Sequence, residues 1–151
     1  MLFRSYWWIR IELGDRATSY ETVAAALAHY EAAEKSARRL VGLDDSNSVW
    51  QRDLSVCFNK LGSVFLTLGR TDDALAQFET YSKMCRALAE ADPHDAQKQR
   101  DLSISYDRLG DVFLTLGRTD DALAQFEDGL KIRRALAAAD PRDAQKQRDL
   151  S

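Results

Sequence analysis

Between Gln99 and Lys146 the apolar positions fall into two stripes with helical spacing. Leu102, Tyr106, Leu109, Phe113 and Leu116 recur at alternating intervals of four and three, which gathers them on one face of a helix. Gly117 follows, and only glycine enters the left-handed conformation of a helix C-terminus without steric cost. Thr119 suits the N-cap of a second helix, with Asp120 and Asp121 where the positive end of its dipole favours carboxylates. Ala122, Leu123, Phe126 and Leu130 make up that helix's apolar stripe. Asp140-Pro141 then reads as the cap and first residue of a further helix. Gly69, Thr71 and Asp92-Pro93 carry the same punctuation earlier in the chain, so the pattern predicts antiparallel helix pairs.

The punctuation recurs because the sequence itself recurs. The stretch VFLTLGRTDDALAQFE occupies 64–79 and again 112–127, and QRDLS begins at Gln51, Gln99 and Gln147, a period of 48 residues. Segments 51–98 and 99–146 agree at 35 of 48 positions without a gap. A degenerate earlier copy sets Leu13-Gly14 over Leu61-Gly62 and Leu109-Gly110, and Ala26 and Tyr30 over Ala74/Phe78 and Ala122/Phe126. The chain thus reads as a single repeat domain over 1–151, with repeats at about 3–50, 51–98 and 99–146 and the start of a fourth at 147–151. A period of this length means stacked supersecondary units, each covering apolar surface its neighbour cannot bury alone. The expected fold is all-α, an α-solenoid of three antiparallel helix pairs with turns near Glu21, Gly69 and Gly117 and no sheet.

These helix pairs resemble tetratricopeptide repeats. After the Leu-Gly pair, the family's small residue is Gly62 or Gly110, its aromatic Phe65 or Phe113, its alanine Ala74 or Ala122, and its later aromatic Phe78 or Phe126. The match is strong in the last two copies and weak in the first, where Glu21 stands in place of the turn glycine. The unit is longer than the usual tetratricopeptide repeat of about 34 residues. The excess falls after Phe78 and before Leu102, which implies longer helices rather than an added domain, as in the long-helix arrays of large bacterial multidomain proteins.

Composition narrows the function classes. Hydrophobic residues at 45% and charged residues at 30% describe a folded globular chain, and a net charge of −3 carries no nucleic-acid footprint. Lys35, Arg38 and Arg39 are the cationic last turns of a helix. Cys57 and Cys85 have no CxxC spacing and His29 and His94 lie far apart, so no metal site is expected. The two cysteines are expected to be reduced thiols of a cytoplasmic protein, since the later copy carries Ser105 and Arg133 at their positions. Arg4, Arg10 and Glu12 interrupt the apolar opening segment, excluding a signal peptide or membrane span, and Tyr6, Trp7 and Trp8 are expected to be helix packing residues rather than a membrane anchor. No phosphate loop, HExxH or nucleophile with a histidine partner is present, so no catalytic residue and no cofactor are expected.

The resemblance implies a protein-interaction scaffold, in which the first helices line a concave groove that takes a protein or peptide segment. Matching positions are Asn59, Lys60, Ser63, Leu66 and Thr67 in the middle copy and Asp107, Arg108, Asp111, Leu114 and Thr115 in the last. A receptor for C-terminal carboxylates is disfavoured, because Asp15, Asp107 and Asp111 would repel such a ligand. The alternative is a regulatory or oligomerising segment of a multidomain bacterial signalling protein. The incomplete fourth copy leads to the expectation that the chain is a fragment of a larger protein. Leu2-Phe3-Arg4-Ser5 is also what a common sequencing-adapter end encodes, so Met1 to Ser5 are expected not to be native. Leu123, Phe126, Leu130, Ile132 and Leu136 are expected to leave an apolar patch that drives self-association through the C-terminal face.

Overall fold

The computed structural model describes residues 2–15 and 20–140, the side chains of 2, 3 and 20–22 excepted. Among the described residues it forms six α-helices and no strand: α1 (Leu2–Asp15), α2 (Tyr20–Leu43), α3 (Ser48–Thr67), α4 (Thr71–Ala91), α5 (Ala96–Thr115) and α6 (Thr119–Ala139). The extra length of the unit lies in the helices, which run to 20 or 21 residues from α3 onward. The fold is all-α, with successive helices packed as pairs in the manner of an α-solenoid. Two compact units divide the chain, Met1–Met84 and Cys85–Ser151, with the boundary inside α4.

Each pair is locked by a glycine facing an aromatic ring sixteen residues later. An added Cβ on Gly62 would stand 2.5 Å from the Phe78 ring, and one on Gly110 would stand 2.5 Å from Phe126. The degenerate first copy keeps the device: a Cβ on Gly14 would fall within 3.0 Å of the Tyr30 ring. Its register with the later copies, read from Leu13-Gly14 and Tyr30, is therefore a contact in space. Tyr30 adds a hydrogen bond its phenylalanine counterparts cannot make, its Oη donating to Asp15 Oδ1 at 2.6 Å. Burial, and the acceptor carboxylate of Asp15, push the phenol well above its ordinary range.

The turns at Gly69 and Gly117 form as expected, both with φ +74°. Gly117 N–H donates to Leu114 O at 3.0 Å and Arg118 N–H to Phe113 O at 2.8 Å, the two bonds of a Schellman motif, and Gly69 and Arg70 repeat them. The helix starts differ from expectation. Thr119 is the first helical residue rather than the cap, because Arg118 closes α5 and opens α6 at once, with no side-chain cap. Its guanidinium instead binds Asp121 at 2.7 Å and stacks over Phe113. Asp92-Pro93 does not cap α5 either. Asp92 O accepts from Asp95 N–H at 3.2 Å in a tight turn, and Asp95 caps the helix by accepting from Lys98 N–H at 3.0 Å. Asn47 does the same for α3, accepting from Val49 and Trp50. Glu21 lies inside α2, not in a turn; the residues between α1 and α2, 16–19, and Pro141 lie outside the described residues.

Burial follows the expected stripes with informative exceptions. Leu102, Leu109 and Phe113 are buried and Tyr106 is half-buried, but Leu116 is exposed because it is the C-cap residue, past the last helical turn. Val112, Ser103 and Ser105 are buried beside them. The serines are tolerated because each hydroxyl donates to a carbonyl of its own helix, Ser105 to Leu102 O at 2.7 Å and Ser103 to Arg100 O at 2.8 Å. Of Tyr6, Trp7 and Trp8 in α1, only Trp7 is buried. Its Nε1 meets Cys57 Sγ of α3 at 3.0 Å as a helix packing residue, whereas Tyr6 and Trp8 are exposed. Cys57 and Cys85 are buried thiols outside any disulfide. Burial pushes the Cys57 thiol up to about 12 against the opposing indole N–H, so it is protonated and unreactive.

Two substitutions separate close approach from helix propensity. Gly62→Ala removes a poor helix former, worth about 1 kcal/mol, but drives a methyl into the fully buried Phe78 ring, costing about 1–3 kcal/mol and outweighing the gain. Gly42→Ala, with nothing within 4 Å, is expected to stabilise by about 0.5–1 kcal/mol. Urea denaturation should give opposite signs for the two. Phe78→Ala should cost about 3–5 kcal/mol and Phe126→Ala measurably less, since Phe126 is only half-buried.

Candidate functional site

The helical pitch that turns Leu61, Gly62 and Phe65 inward turns Asn59, Lys60, Ser63, Leu66 and Thr67 towards the rim of α3. Four of these five are half-buried and Thr67 is exposed. The hydroxyls are occupied along the helix: Ser63 Oγ donates to Asn59 O at 3.0 Å and Thr67 Oγ1 to Ser63 O at 3.1 Å. Lys60 reaches back to α1, its Nζ 2.8 Å from Asp15 Oδ1. Asp15 therefore holds both Lys60 and the Tyr30 hydroxyl, and the first-helix cation of this row is already engaged within the unit.

On α5, in the other unit, Asp107 and Arg108 are half-buried while Asp111, Leu114 and Thr115 are exposed. Asp107 is turned to the neighbouring helix, its Oδ2 2.6 Å from Arg133 Nη1 of α6. That pair occupies a level where α6 carries Gly129, whose absent Cβ leaves room near Asp107 Oδ1 and Ser103 O. The exposed part of the row is Asp111, Leu114 and Thr115, with Leu114 50% exposed. Partial desolvation raises the Asp111 carboxyl above its ordinary range, opposed by Arg108 and reinforced by Asp107. This surface offers an apolar contact point beside carboxylates, with no side chain poised as nucleophile or base.

A second concavity escaped the sequence reading. The N-terminal end of α5 and the C-terminal end of α6 splay apart around a cleft of about 550 Å³, floored by Ile132, Ala135, Leu136 and Ala139 and edged by Arg100 and Lys131. Its signal was the run of alanines, which leaves space where the other levels of the pair are filled. Among the described residues, no group of three His, Cys, Asp or Glu could hold a metal ion. Among them too, no helix is long and apolar enough to cross a membrane.

Residues 103–143 match the family model of the tetratricopeptide repeat. The matched span runs from Ser103 in α5 through all of α6, and so includes the Gly110–Phe126 contact and the Gly117 turn. The chain carries a tetratricopeptide repeat there, in agreement with the resemblance read from the sequence. No curated protein matches the chain.

Asp111 gives the site a pH signature. A carboxyl whose folded pKa lies above its unfolded value binds its proton more tightly in the fold, so stability is greatest below the unfolded value and falls as pH rises through the folded one. Asp111→Asn should therefore raise the thermal midpoint at neutral pH. Below about pH 3.5 wild type and variant should unfold together; a constant difference across the titration would assign the effect to packing.

Proposed function

We propose that this tetratricopeptide-repeat chain is a protein-interaction scaffold that takes a segment of a protein partner along the concave groove its first helices line. Tetratricopeptide repeats are a scaffold fold that typically binds protein partners, and the chain has the helix pairs of one. The observation that carries the finer reading is Leu114, held 50% exposed on α5 beside Asp111 and Arg108. An apolar side chain kept in water among polar neighbours is the usual anchor of a peptide site. Leu66 takes the same place on α3, between Ser63 and Thr67. The ten groove positions are then Asn59, Lys60, Ser63, Leu66 and Thr67 with Asp107, Arg108, Asp111, Leu114 and Thr115.

The charges select the ligand. Lys60 is satisfied by Asp15 and Asp107 by Arg133, which leaves Asp111 the carboxylate facing an incoming chain. A segment with an apolar anchor and a neighbouring basic residue suits this surface, and a C-terminal carboxylate does not. The setting we propose is cytoplasmic, where the buried thiols of Cys57 and Cys85 remain reduced.

Peptides selected from a random displayed library against the 151-residue chain should be enriched in apolar residues flanked by Lys or Arg. Their affinity should fall about tenfold or more for Leu114→Glu and again for Leu66→Glu. Selected peptides that bind the double variant as tightly as the parent would place the site elsewhere.

A further inference from the structure

The flank of α6 turned away from Gly110 is built differently from the corresponding flank of α4. Asp120, Leu123, Glu127, Leu130, Lys131 and Arg134 lie within an arc of about 100° on the helix, and all six are exposed. Leu123 is 55% and Leu130 40% exposed. One period earlier the same positions carry Asp72, Leu75, Glu79, Ser82, Lys83 and Arg86, with a buried serine in place of Leu130 and a half-buried Leu75. The charge order is shared by both helices, but only α6 adds a second leucine and presents both to water.

The order of charge along this face is polarised. Acids occupy its N-terminal half at Asp120 and Glu127 with Leu123 between them, and bases its C-terminal half at Lys131 and Arg134, preceded by Leu130. Reversed on itself, such a face sets its outer acid against its outer base. We propose that it is the interface of a two-fold symmetric dimer, in which α6 of one copy packs antiparallel on α6 of a second copy. Leu123 of each copy then covers Leu130 of the other, and Asp120 of each lies alongside Arg134 of the other. The two Glu127 side chains meet at the axis, where Lys131 of each copy, one turn away on the same face and 3.6 Å from Asp128, offsets the like charge. A parallel arrangement would set acid against acid and base against base. Four leucine side chains make a small apolar centre, so the dimer belongs with the weaker, transient class of interface. The proposal goes beyond the groove reading and is independent of it, since none of the six side chains is a groove position.

Charge reversal tests both the face and its symmetry. Sedimentation of the full 151-residue chain should show a monomer–dimer equilibrium in the range of about 10–100 µM. Leu130→Ser, which restores the residue of the preceding copy, should leave a monomer with unchanged helicity by circular dichroism. The pair Asp120→Lys with Glu127→Lys makes the face wholly basic, and Lys131→Glu with Arg134→Glu makes it wholly acidic. Each double variant alone should be monomeric, and an equimolar mixture should form a one-to-one heterodimer. A wild-type chain that stays monomeric at about 100 µM would overturn the proposal. So would double variants that dimerise like the parent, or a mixture that gains no dimer. Loss of association on Ile9→Glu in α1, with Leu130→Ser silent, would place the contact on the other exposed apolar helix and overturn it as well.

Discussion

How closely two helices can approach governs everything else in this molecule. At Gly14, Gly62 and Gly110 the first helix of a pair has no side chain, and the aromatic ring of the second helix occupies the space a Cβ would need. The ring, against backbone on one side and its own helix on the other, fixes both the separation and the axial register of the pair. Sixteen residues separate glycine from ring in every copy, and the Gly69 and Gly117 turns fall within that interval. Turn and ring therefore specify one geometry together, and local and long-range preferences agree.

The loops are short because each residue in them serves two elements. Arg118 completes the hydrogen bonds that end α5, supplies the carbonyl that starts α6, lies over the Phe113 ring and pairs with Asp121. Arg70 repeats these contacts with Phe65 and Asp73. The polar groups taken into the core follow the same economy. Asp53 is buried and accepts from Arg4 at 2.9 Å, and Asp101 accepts from Gln97 at 2.9 Å, so neither carboxylate is left without a donor.

With the glycine–aromatic contact settled by the repeat, the positions around it are free to diverge, and the two closely related copies differ there. Asn59, Lys60 and Ser63 become Asp107, Arg108 and Asp111, exchanging a nearly neutral row for one with two carboxylates. Cys85 becomes Arg133, which reaches Asp107 across its own pair. Ser82, which is buried, becomes Leu130, which is exposed, while the buried Tyr81 becomes a buried Gly129. Substitutions that leave the glycine–aromatic contact untouched can change which partner a helix face fits without disturbing the fold.

The sequence by itself determined the period, the pairing of helices, the left-handed glycines and the tetratricopeptide-repeat pattern that the family model matches over 103–143. Each of these rests on a local rule repeated at fixed spacing, and the degenerate first copy was legible from Leu13-Gly14 and Tyr30 for the same reason. Tertiary structure alone decided depth and partnership. Periodicity states which side of a helix is apolar, but not that Trp7 would be buried and Trp8 exposed, nor that Val112 would be more deeply buried than Leu109. A carboxylate cap at the start of α5 was expected at Asp92. That Asp95 caps it instead depended on the turn that spends the Asp92 carbonyl on Asp95 and leaves the Asp95 side chain within reach of Lys98 N–H. The groove row was named from the family pattern. That Asp107 turns to Arg133 beside Gly129 while Leu114 stays in water becomes visible only when the two helices are set side by side, because each depends on what the facing helix places at that level.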